Sequence, residues 1–175
     1  MRFNDKNRNQ RGFTLVELLV VMVVIGILAA MMMANFAGAR ERARDARRKS
    51  DFEQMKTALR LYYNDHQEGY PANGGTGGGQ IVGCGTSATK TVCAWEGSFA
   101  MDGTVYMKYL PLDPLNNGNY VYTYAQTDGG GGVMGDGFSL TTYLENGADQ
   151  DAAKSQRMCG VAAGAETPNR YMACE

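Results

Sequence analysis

From Leu18 to Ala39 the chain carries one strongly polar side chain, Asn35, and a single carboxylate, Glu17, stands directly before that run. At about 1.5 Å per residue, a helix of this length roughly spans a bilayer. Few folds other than a long helix in lipid or in a protein core can accommodate it. A carboxylate among such neighbours costs a few kcal/mol or more unless it is paired, so Glu17 marks a functional position that needs a counter-ion. Two simpler explanations compete. One is an ordinary secretory signal, with Arg2, Lys6, Arg8 and Arg11 as its basic region and Ala37-Gly38-Ala39 as a small-residue cleavage pattern. The other is a plain membrane anchor. The apolar run is longer than the usual signal core, and both explanations leave Glu17 without a purpose. Charge bias does not set the orientation: the far flank, Arg40, Arg42, Arg44, Arg47, Arg48 and Lys49, is more basic than the leader.

Gly12-Phe13-Thr14-Leu15-Val16-Glu17-Leu18-Leu19 resembles the class III leader junction of type IV pilins and the related pseudopilins. The resemblance implies cleavage between Gly12 and Phe13 by a membrane prepilin peptidase, with methylation of the new amine of Phe13. It implies anchoring in the cytoplasmic membrane by one span with the amino terminus inside. It further implies delivery through a membrane assembly platform into a homo-oligomeric helical filament at the cell surface. There Glu17 of one subunit meets the Phe13 amine of its neighbour. Electrostatics is compatible with that pairing, because neither charge is tolerable alone in an apolar layer and together they fix an axial register. Family members often carry a proline near the position of Ala34. This chain does not, so Asn35 to Gly38 is the candidate soft point of the helix.

The remainder reads as an α+β head on a long helix. The leader is 1–12, the membrane or filament-core helix 13–39, its amphipathic continuation 40–68, and the head 69–175. Phe52, Met55, Leu59, Tyr62 and His66 recur at helical spacing, with Ala58 and Leu61 widening the stripe. No proline occurs between Phe13 and Tyr70, and Gly69 before Pro71 is a stop signal. Residues 69–103 are expected to form a connecting loop. A small antiparallel meander over 104–145 has runs at Thr104–Leu110, Tyr120–Tyr124 and around Phe138, Leu140 and Leu144. Residues 146–175 form a cysteine-containing end. Most of the 17 Lys and Arg precede residue 61 and most of the 18 Asp and Glu follow it. A solvated helix face is the simpler account of Arg40–Lys49, and pairing with acidic heads of neighbouring subunits the sharper one. DNA is a weaker partner, because no aromatic residues interleave with these arginines.

Cys84, Cys93, Cys159 and Cys174 allow three pairings, of which the two local ones, Cys84–Cys93 and Cys159–Cys174, are simplest. Disulfides place the head in an oxidising compartment. A zinc site is disfavoured by the lack of Cys-x-x-Cys and by a single histidine, His66. Asp149 and Asp151 offer oxygens toward calcium, which the pseudopilin resemblance makes conceivable, but no full loop of spaced oxygens surrounds them. Gly130-x-Gly132-x-x-Gly135 matches a dinucleotide fingerprint but sits in a turn rather than before a helix. No hydrolase, metalloprotease or nucleotide motif is present, so neither catalysis nor a cofactor is expected. These features together favour a type IV pilus pilin. The runner-up is a pseudopilin of type II secretion, and outside that class a signal-anchored adhesin or binding head.

Overall fold

The computed structural model describes residues 12–75 and 79–175. Leader residues 1–11 and loop residues 76–78 lie outside the described residues. Helix α1 spans Leu15–Asp65, slightly shorter at both ends than the stripe and stop signals predict, and it is unbroken at Asn35–Gly38. The chain divides into two compact units, one ending at Ala39 and one running Arg40–Glu175.

In the first unit, Leu15–Met32 is long and apolar enough to cross a membrane, and none of it is buried. In the second, one stripe of α1 enters the core. Phe52, Met55, Ala58, Leu59 and Tyr62 are all buried there. They meet Tyr70, Ile81, Phe99, Met101, Leu110, Tyr122, Tyr124, Phe138 and Leu140. Each large apolar side chain contributes about 1.5–3 kcal/mol by leaving water. Edge-to-face rings add direction: Phe52 lies 5.1 Å from Tyr122, and Tyr70 lies 4.8 Å from Phe138. The helix ends before Gly69, whose φ of +108° turns the chain. A Cβ there would sit 2.7 Å from the Gly135 carbonyl oxygen, so a side chain is excluded.

Two sheets build the head. The first contains β1 (Ala72–Gly74), β2 (Gln80–Thr86), β3 (Thr89–Val92), β4 (Phe99–Met101) and β5 (Thr104–Met107). Its order is β1-β2-β4-β5, with β3 also on β2 and a single parallel register between β2 and β4. The second is an antiparallel meander of β6 (Thr123–Thr127), β7 (Gly137–Tyr143) and β8 (Arg170–Cys174). Helix α2, Gln150–Met158, lies between β7 and β8 in the chain and packs on β8.

The α+β class with a long amino-terminal helix and a largely antiparallel head is as expected, and four details differ. Residues 69–103 are not a plain connection but carry four strands. The run at Thr104 pairs with β4 rather than joining the meander. Residues 146–175 supply α2 and the third meander strand, and Tyr120 and Tyr122 precede β6 rather than lying in it.

Candidate functional site

The amino-terminal end of α1 is built by local chemistry. Thr14 precedes the first helical residue, and its Oγ1 accepts from the Glu17 backbone N–H at 3.2 Å. Thr14-x-x-Glu17 is thus a capping-box pattern, and it places the acid in the first turn, where the helix dipole favours negative charge. Phe13 beside it is 80% exposed, followed by the uncovered apolar surface of Leu15–Met32. Gly12, Phe13 and Glu17 are therefore adjacent on one accessible end, and this unit presents an apolar surface with one acid at its tip.

The second unit is organised by charge. Arg48 is completely buried. Its Nε donates to Asp113 Oδ2 at 2.7 Å and its Nη2 to Asp113 Oδ1 at 2.9 Å. Nη1 donates to Asp45 Oδ1 and to Glu145 Oε1, each at 2.7 Å. The Tyr120 ring lies 5.1 Å from the guanidinium carbon. Asp45 in turn accepts from the backbone N–H groups of Glu145 and Asn146, at 3.0 and 2.9 Å. Arg44 forks onto Glu145, with Nε to Oε1 at 2.7 Å. Every buried side-chain polar atom among the described residues has a partner, the condition under which buried charge is tolerable.

These contacts set the titration of the cluster. Burial would raise the Asp113 carboxyl, but the Arg48 guanidinium and the Leu115 N–H outweigh it and hold it below the usual carboxylate range. The Arg44 fork, with Arg48 behind it, lowers Glu145 against a smaller cost of burial. Asp51 goes the other way. Burial raises it, although the Tyr122 hydroxyl donates to it at 2.8 Å.

The expected solvated face at Arg40–Lys49 is therefore corrected for Arg44, Arg48 and Lys49. They bind carboxylates of their own head, because the helix turns them toward it. Arg48 lies one turn before Phe52 on the very stripe that the sequence marks as buried, and that offset was the available signal. Asp113 and Glu145 are the members of this ion-pair cluster that sequence reasoning missed.

Lys49 also decides what Asp149 and Asp151 do. Its Nζ lies 2.6 Å from Asp149 Oδ2 and 2.7 Å from Asp151 Oδ2. Asp149 caps α2 by accepting from the Asp151 N–H at 2.9 Å. An ammonium occupies the position between the two carboxylates, and no group of three metal-ligating side chains exists among the described residues.

The cysteines form Cys84–Cys93 and Cys159–Cys174, separated by 9 and 15 positions. The first closes the β2–β3 hairpin; the second joins the end of α2 to β8. His66 is half-buried and shares a 3.0 Å hydrogen bond with the Tyr106 hydroxyl. The glycines of the fingerprint-like run lie in the β6–β7 turn.

Comparison with known proteins agrees with this geometry. Residues 7–33 match the prokaryotic N-terminal methylation motif. The chain is 33% identical over 146 residues to the type II secretion system core protein G of Aeromonas hydrophila, covering 83% of this chain and 92% of that protein. The chain belongs to the type IV pilin and pseudopilin family. Within that family it is also 33% identical over 118 residues to the type IV major fimbrial protein FimA of Dichelobacter nodosus, covering 67% of this chain and 72% of that protein. A shorter match, 38% over 64 residues, reaches the type IV major pilin PilA of Myxococcus xanthus and covers 37% of this chain and 28% of that one. No solved structure matches the chain.

Proposed function

We propose that this chain is a structural, non-catalytic subunit that polymerises into a type IV pilus after the bond between Gly12 and Phe13 is cut. One observation carries the proposal: the wholly uncovered apolar surface of Leu15–Met32, headed by Glu17. Lipid covers that surface in a single anchored copy, and copies of itself cover it in a filament. In the filament the methylated amine of Phe13 neutralises Glu17 of a neighbour. The prepilin peptidase and an assembly platform are the partners that this route requires. A head fastened by two disulfides suits permanent exposure outside the cell, and the likeness to FimA and PilA supports a pilus.

A second reading, a pseudopilin of type II secretion, is supported by the greater share of both chains matched by core protein G. Sheared surface material, imaged by electron microscopy and sequenced from its terminus, separates the two. Long fibres beginning at Phe13 at native expression support the pilus. Fibres seen only on overexpression support the secretion pseudopilus. Replacing Gly12 should block processing, and Glu17→Ala should insert in the membrane yet assemble poorly. Normal processing of the first or normal fibre yield from the second refutes the proposal.

A further inference from the structure

The ion pairs that close the head leave several charges without an ion pair among the described residues, and Arg40 and Arg42 are two of the cations. Arg44, Arg48 and Lys49 are consumed internally, and Arg47 reaches Asp51 only at 3.8 Å. Arg40 and Arg42 are exposed and have no ion pair among the described residues. Asp128 and Asp136 flank the β6–β7 loop and have no ion pair among the described residues. Between them Val133 and Met134 are 59% and 65% exposed.

The loop is presented rather than loose at its base. Gly135 N–H donates to the Thr127 carbonyl at 2.9 Å, and Tyr70 N–H donates to the Gly135 carbonyl at 2.8 Å. The Asp136 N–H closes a turn onto Val133 at 3.2 Å. Gly69 and Gly135 approach so closely that a Cβ at Gly69 would sit 2.7 Å from the Gly135 carbonyl oxygen. A fixed base thus holds out an apolar tip on an acidic neck, while Arg40 and Arg42 follow directly on the apolar run of the sequence.

We propose that the β6–β7 loop of one subunit docks on Arg40 and Arg42 of a second copy. Asp128 and Asp136 pair with the guanidinium groups, and the neighbour covers Val133 and Met134. This rests on the filament reading above. The occupant is a second copy because the chain carries both halves of the charge complement. A lipid surface would satisfy the arginines but would supply no cation for the aspartates.

The test is charge exchange in the full chain, read as yield of sheared filaments, with disulfide content and near-ultraviolet circular dichroism confirming an intact head. D128K/D136K and R40E/R42E should each lower the yield by about tenfold or more, a size that close interfacial charge pairs reach. The four-site exchange should restore most of it. D128N/D136N, which keeps the acceptor for the Gly130 N–H, should give an intermediate loss. Wild-type yield from D128K/D136K, while Glu17→Ala still assembles poorly, overturns the docking and leaves the filament intact. A loss confined to R40E/R42E with no rescue also overturns it and assigns the arginines to lipid headgroups. If the native chain forms no fibres at any expression level, docking and filament reading fall together.

Discussion

Arg48 on α1 and Asp113, 65 positions later, form a two-pronged ion pair from which solvent is fully excluded. The fork allows one relative position of the helix and the 112–116 segment, because both prongs must be made at once. Exchanging such a cluster for apolar side chains often costs little, whereas removing one member strands the others. The pair therefore acts chiefly to select one docking of helix and head.

Arg48→Ala should destabilise the head by about 3–5 kcal/mol, since Asp113, Asp45 and Glu145 lose a shared buried partner. Chemical unfolding of the full chain in detergent measures it. A loss below about 1 kcal/mol would show that solvent reaches the cluster.

Stability should fall in acid. Asp113 and Glu145 titrate lower in the folded state than unfolded, so the unfolded chain binds more protons in that range. Their contribution is complete above the ordinary carboxylate range, near pH 4, and disappears as pH drops through their folded values. Asp113→Asn lacks that contribution. Its stability deficit relative to the native chain should be largest at neutral pH and should shrink on acidification. A pH-independent deficit would refute the assignment.

Tyr122→Phe removes the hydroxyl that donates to buried Asp51. The expected cost is about 1–3 kcal/mol, the penalty for leaving a buried acceptor unpaired. Asp51→Asn should cost less, because it keeps an acceptor and removes a charge that burial disfavours. Comparing the unfolding midpoints of the two variants checks the order.

Replacing Cys159 and Cys174 together by Ser should cost about 3 kcal/mol, as expected for closing a loop of this length. Hydrogen exchange should accelerate first in α2 and β8, which that bridge joins, and least in β4 and β5. Uniform acceleration would mean that the bridge stabilises the whole head rather than its carboxyl end.

The long helix was legible because two signals coincide: an apolar run of membrane length and, after it, a stripe at helical spacing with a Gly69–Pro71 stop. The first sheet was not legible. Gln80–Thr86 holds Gly83, Cys84 and Gly85, so β2 lacks the alternation of large apolar residues that marks a strand. Helix α2 escaped for a related reason. It buries Ala152, Ser155 and Gln156 rather than an apolar stripe, and the Gln156 amide satisfies the Thr167 and Arg170 carbonyls at 2.8 and 2.7 Å. Asp45 is a local partner of Arg48, three residues away on the helix, but Asp113 and Glu145 are set by tertiary contact, which no local pattern encodes. Local cysteine pairing was the simplest of three, and the fold adopts it.

The β2–β3 hairpin has a practical corollary. Its residues beyond Cys84 and before Cys93 are all exposed, and the disulfide cinches the two arms where they leave the core. A foreign peptide grafted at the Ser87–Ala88 tip would give up the hydrogen bonds of Ser87 to Asp102 but no buried apolar contact. Each subunit of a fibre could then display one copy of a chosen epitope without disturbing the hydrophobic interior.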